Sequence, residues 1–339
     1  MRDLGEVYSA FTNSIWLPKD NFASRLLPSR LSFFEFNSLT AAEDIPFSQD
    51  EARFRKTLSY SCAAPVAVVE RDMEFLQAFD RYQEKRQQIY GYCLWGSLLG
   101  VIAGLAVIAA LQLQVLGAII SVSAILACIV TGVGRARYGR LNLEDRRYRL
   151  VAGVLRMIAK DMAADAQVSV KLDFKPHNHK SKLKGKGPVR GTRWNARFYD
   201  YQWLQISGAL LDGTKFSVSM IEKQQDRYRT KRSASGKTKT KTKTKNSSEL
   251  VCSLRPKEKR YELSSDIPDL VGRNAVLPPW VALKSVRLVG NALTISTKTK
   301  SAWDVLFSSG KIEDKNGVTW VTTSLLSLYQ TLNAKRRKK

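Results

Sequence analysis

Charge is missing from one long stretch of this chain. From Gln87 to Gly134, 48 consecutive residues include no Lys, Arg, Asp, Glu or His. That composition excludes a solvated loop or a surface helix, which keeps a polar face toward water. Histidine is scarce as well. Only His177 and His179 occur, with no cysteine or third histidine nearby in sequence to complete a metal-ligand set. The four cysteines, Cys62, Cys93, Cys128 and Cys252, lack the short spacings of a disulfide framework or a zinc knuckle. A phosphate loop, dinucleotide fingerprint, nucleophile elbow and zinc-protease helix are all absent. The chain therefore reads as non-catalytic, with no cofactor and no metal site expected. No secretory signal is expected either, because Asp3 and Glu6 interrupt the start and no long apolar core follows.

The charge-free stretch itself is apolar and divided. Residues 92–111 read YCLWGSLLGVIAGLAVIAAL, and residues 115–134 read VLGAIISVSAILACIVTGVG, with only QLQ between them. Each run of about 20 residues is long enough to cross a hydrocarbon core of roughly 30 Å. The pattern predicts a transmembrane hairpin over 91–134, made of two spans and a tight polar turn. Arg81, Lys85 and Arg86 precede it, and Arg135, Arg137, Arg140, Arg146, Arg147 and Arg149 follow it. Positive charge on both flanks places both on the cytoplasmic side, so both termini are expected to be cytoplasmic. Gly96, Gly100 and Gly104 repeat at a spacing of four and lie on one helix face, where another backbone can come close. Gly117, Ser121, Ala124 and Cys128 answer them in the second run. Such a stripe serves either the packing of the two spans together or a homo-oligomer, including a pore.

Around the hairpin the period is helical. Phe75, Phe79, Tyr82 and Ile89 mark one face of a stalk helix over 66–90. Tyr148, Val151, Leu155, Ile158 and Met162 mark a face of a returning helix over 135–165, and the two form an antiparallel stalk. Residues 1–65 read as a partly ordered segment, with Leu26, Leu27, Phe33, Phe34 and Phe36 too apolar for a solvated tail. Within it, Ser48 and Glu51 have capping-box spacing, and SYSCAAP (59–65) is expected to break the chain.

Charge is distributed unevenly. Residues 1–134 carry a net charge of −2, and residues 135–339 a net charge of +27. Beyond residue 165 the period becomes two, which predicts a basic, β-rich α+β domain over 166–339. Its expected parts are strands at 167–174, 249–256 and 286–300, a hairpin turning at Asp212-Gly213, and a C-terminal helix carrying Val321, Leu325, Leu328 and Leu332. A polybasic tail closes the chain. The fold class expected is thus an integral membrane protein: a two-span transmembrane helical hairpin with a helical stalk, plus a cytoplasmic β-rich α+β domain.

Two clusters in that domain are candidate anion-binding surfaces. One is Lys180, Lys182, Lys184, Lys186, Arg190 and Arg193, set among glycines. The other is the alternating run Lys237, Lys239, Lys241, Lys243 and Lys245, with threonines between. If extended, the run puts its lysines on one face. Their mutual repulsion predicts a mobile finger unless an acidic partner orders it. A basic domain held beside a cytoplasmic leaflet meets anionic lipid continuously, which makes acidic headgroups the first expected partner. Nucleic acid is the alternative, with Trp194, Tyr199, Tyr201 and Trp203 interleaved with Arg193 and Arg197 as a stacking surface. The expected role is a membrane-anchored scaffold, tether or sensor; the third reading is a pore-type effector.

Overall fold

The structure is a computed structural model, and it describes residues 45–232, 236–305 and 315–336. The apolar N-terminal residues singled out above, and Arg337 to Lys339, lie outside those ranges. The described chain opens with helix α1 (Glu51–Thr57), whose cap is Asp50: its side chain accepts from the Ala52 amide. Ser48 is not the cap. Its amide and hydroxyl instead donate to Asp72, which removes the expected capping box. SYSCAAP does not break the chain but forms strand β1 (Ser59–Pro65). Tyr60 is buried there, while Ser61 and Ala63 face outward, an alternation of burial and exposure suited to a strand.

Helix α2 (Val66–Leu111) runs unbroken from the domain into the first apolar run. A left-handed Gln112 turns the chain into helix α3 (Gln114–Leu141). These helices are long and apolar enough to cross a membrane, and the rest of the fold leaves them uncovered: only 6% and 11% of their most apolar stretches are buried. The returning segment is not one helix. It breaks at Asn142–Glu144 and resumes as α4 (Asp145–Ile158). The break is pinned by Asp80 of α2, which accepts from the Leu143 amide at 2.7 Å and from the Tyr148 hydroxyl at 3.1 Å.

The remaining elements are β2 (Gln167–Asp173), β3 (Leu183–Pro188), β4 (Asn195–Ala209), β5 (Lys215–Arg232) and β6 (Thr238–Arg255), then α5 (Ile267–Asn274), β7 (Ala282–Val289), β8 (Ala292–Thr299) and α6 (Gly317–Ala334). The strands build one antiparallel sheet in the order β1-β2-β4-β5-β6-β8-β7, with β3 beside the distal half of β4. The connection between β4 and β5 is wider than the two-residue turn expected, and only Gly213 is left-handed. Asp212 accepts from the Thr214 amide and from the hydroxyls of Tyr261 and Tyr329 at 2.7–2.9 Å, so its side chain anchors the turn to the end of α6.

One sheet face is the core. Val170, Ile206, Val218, Cys252 and Ile295 line it, covered by Val151 and Leu155 of α4 and by Val321, Leu328 and Leu332 of α6. The α4 stripe read as a stalk face therefore packs inside the domain. Trp203, Trp303, Trp320 and Trp280 follow one another across this core with ring centroids 5.4–6.4 Å apart. Trp303 and Trp320 donate their indole N–H groups to Ser248 and Thr297.

The longest elements of the fold share a direction. After Pro65, α2 folds back along β1, so that the Tyr60 hydroxyl meets Asp72, and Phe54 packs against both Phe79 and Phe174. It therefore runs the same way as β2. Two antiparallel pairings later, β5 also runs that way. The two apolar helices and the distal end of the β5–β6 hairpin leave the domain on the same side.

Candidate anion-binding surface

The hairpin of β5 and β6 is paired from Lys215↔Arg255 to Arg232↔Thr238. Its inner half lies within the sheet. Its outer half projects: β8 reaches β6 only as far as Ser248, and β4 reaches β5 only as far as Tyr228. The lysine–threonine run is thus an ordered strand, where a mobile finger was expected, apart from Lys237, which lies just before it. A continuous backbone ladder with β5 and the strand propensity of threonine hold it. Thr230 and Thr240 share a hydrogen bond at 3.3 Å, and Thr244 donates to Asp226.

Register then decides what the run faces. Lys239 stands opposite Lys231, Lys241 opposite Arg229, and Lys243 opposite Arg227, with Lys245 opposite Gln225. Residues directly opposite share a face, so seven cations occupy one side of the projecting ribbon. None of the seven forms an ion pair among the described residues. Carboxylates appear on that face only further down, where Glu249 is held by Lys223 at 3.3 Å and by Lys284. Like charges placed directly opposite one another are destabilising, a cost that an anion on the surface would remove. β5 supplied the part sequence reasoning missed: Arg227, Arg229 and Lys231 alternate, but nothing local reveals which strand they would meet.

The other cluster is split by the fold. Lys180, Lys184, Lys186, Arg190 and Arg193 are exposed. Lys186 pairs in register with Arg197 and Asp226, on the threonine side of the ribbon. Arg190 and Arg193 sit in the β3–β4 loop, closed by the Val189 amide donating to the Trp194 carbonyl. That loop adjoins the cationic face, since the Arg229 guanidinium lies 5.8 Å from the Trp194 ring. Lys182 is a correction. It is only 3% exposed, pairs with Asp173 at 3.2 Å, and lies 4.0 Å from the Tyr201 ring. Burial holds its pKa below the usual lysine range despite Asp173. It anchors the sheet and offers nothing to an outside anion.

Three of the four aromatics that the nucleic-acid alternative would use for stacking are interior, packed in the sheet. Tyr199, Tyr201 and Trp203 are buried, and only Trp194 is partly open.

Beneath the finger, a charged cluster ties the helices to the sheet. Arg146 bridges Glu144 and Glu222, the latter at 2.5 Å. Arg147, 2% exposed, meets Glu144 at 2.5 Å, donates to the Asp173 carbonyl, and lies 5.3 Å from the Trp203 ring. Burial works against the charge on Glu144, yet Arg147 and Arg146 hold its carboxyl below the usual range. Burial and Glu222 push the Tyr201 hydroxyl upward. Every charge here has a partner within the chain, so the cluster is a joint. His177 faces Asp226 at 3.6 Å, and His179 accepts from Ser181; among the described residues no group of three or more His, Cys, Asp or Glu could hold a metal.

No protein-family model, curated protein or solved structure matches this chain.

Proposed function

We propose that this chain is an integral membrane protein anchored by α2 and α3, with its sheet domain and both termini on the cytoplasmic side. We propose further that it acts as a non-catalytic tether or sensor, whose β5–β6 finger grips acidic lipid headgroups of the membrane that holds it. The observation that carries this reading is the shared direction and reach of finger and helices. Arg146 joins Glu222, and two residues later Tyr148 joins Asp80, so those two acids stand at about one level. From Asp80, α2 needs eleven residues, about 16 Å at 1.5 Å each, to reach Gly91 and the apolar run. From Glu222, β5 continues ten residues to Arg232, about 33 Å at 3.3 Å each. Even inclined by about 45°, the finger has the length to bring its unpaired cations to the headgroup level. Each basic residue close to such a surface contributes on the order of 1 kcal/mol.

Flotation of the purified full chain, reconstituted at low density and mixed with separate acidic vesicles, tests this. The variant K239S/K241S/K243S/K245S is expected to lose most acidic-vesicle bridging at about 0.15 M salt, and wild type to lose it on raising salt to 1 M. Equal bridging to neutral vesicles by the wild type would remove the proposal. Oligonucleotide binding by the full chain, lost with the same variant, would move the partner to nucleic acid.

A further inference from the structure

A second surface lies where α2 and α3 cross at the edge of their apolar runs. Glu84, Gln87, Gln88, Gly91, Tyr92 and Trp95 recur on one side of α2, and Arg135 of α3 and Asn142 just beyond its end face them across an open groove of about 410 Å3. Gly91 lies in the lining beside Arg135: a Cβ there would sit 3.6 Å from the guanidinium, an ordinary van der Waals contact. Asn142 donates to Gln87 at 3.4 Å, and Gln87 in turn rests on Gly139, fixing the polar wall.

The lining is graded. Its outer end carries Glu84 and amides; its inner end carries Tyr92 and Trp95, 67% and 64% exposed. Arg135 lies between them. Glu84 and Arg135 each lack an ion pair among the described residues, although both line one groove. The order anion, amides, cation, aromatics matches a molecule with an ammonium, then a phosphate, then a glycerol backbone entering the bilayer. Aromatic side chains with a polar edge belong at that last level.

We infer that this groove binds one phospholipid with a primary-amine headgroup, its phosphate on Arg135 and its ammonium on Glu84. The inference rests on the reading that α2 and α3 span a bilayer. A primary ammonium donates N–H bonds to the Glu84 carboxylate and to the amide oxygens of Gln88 or Asn142. A trimethylated headgroup cannot donate, and so is the weaker ligand.

The test is native mass spectrometry of the full chain, released from mixed micelles containing equal phosphatidylethanolamine and phosphatidylcholine. Both lipids are net neutral, so the cationic finger does not distinguish them. Wild type is expected to retain the ethanolamine lipid about 1.5-fold to fivefold over the choline lipid, the range one exposed charged contact supplies. Glu84→Gln, an exposed and sterically matched change, is expected to bring that ratio to about one. Arg135→Gln is expected to reduce retention of both. Equal retention by wild type, or a ratio unmoved by Glu84→Gln, overturns the groove assignment while leaving the anchor intact. Release of the chain from membranes by alkaline extraction would overturn the anchor itself.

Discussion

Asp80 shows how one side chain can set a boundary between segments. It is buried at the base of the apolar helices, where it holds the chain break that ends α3 and admits α4. Burial, then its neighbour Asp145, push its carboxyl up to about 7. The groups facing it are the Leu143 amide, the Tyr148 hydroxyl and Asp145, which is itself paired with Arg149. An unfolded aspartate titrates near 3.9. Between that value and about 7 the folded chain therefore holds the extra proton, and stability falls as pH rises through that window. Thermal unfolding of the detergent-purified full chain should show a lower midpoint at pH 8 than at pH 5. Asp80→Asn should flatten most of that slope, and an unchanged slope would exclude Asp80 as its source. None of this was legible beforehand: Asp80 sits among ordinary stalk polars, and only the turn at Leu143 gives it a role.

Glycine spacing, by contrast, was legible, but which glycine matters is settled at the scale of the helix pair. A Cβ on Gly104 would fall 2.8 Å from the Ser121 amide nitrogen and 2.9 Å from the Gly117 carbonyl oxygen, backbone atoms with nowhere to go. Gly100 meets the Ala124 Cβ at 3.2 Å, and Gly96 meets nothing within 4 Å. Two of the three stripe residues are thus spent on packing α2 against α3 within one chain, which leaves a homo-oligomer or pore only Gly96 to work with. Gly104→Ile should destabilise the full chain in detergent by about 1–3 kcal/mol. Gly96→Ile should be near neutral by the same melting measurement. The reverse ranking would show that the stripe faces another subunit. The finger belongs to this scale too. Period-two alternation identified its lysine face correctly, yet the strand it pairs with, and hence the doubling of charge by Arg227, Arg229 and Lys231, came from register alone.

At the scale of the molecule, the proposed orientation has a direct check. Trypsin has no site between Gln87 and Gly134, because no Lys or Arg occurs there. In sealed vesicles with the cytoplasmic face outward, added trypsin should digest the basic domain and leave a protected fragment containing that stretch. A sheet domain that survives in sealed vesicles, and is cut only after detergent, would reverse the orientation. The fold also ties the helices to the domain. α4 is both the return from the hairpin and a core helix, clamped by Arg146 and Arg147 to Glu222 and Asp173.

Composition alone determined the two apolar runs, the turn between them and the switch from helical to strand-like periods, because an apolar run, or a period of 3.6 or of two, is written residue by residue. β1 escaped, because an edge strand of mostly small residues carries little apolar signal. Lys182 escaped for the opposite reason: its sequence neighbours are exposed lysines, and only Asp173 and Tyr201, distant in the chain, take it inside. Tertiary structure alone decided the finger's charge density, the groove at Gly91 and the common direction of finger and helices. Each depends on which distant segments become neighbours, and local sequence does not encode that.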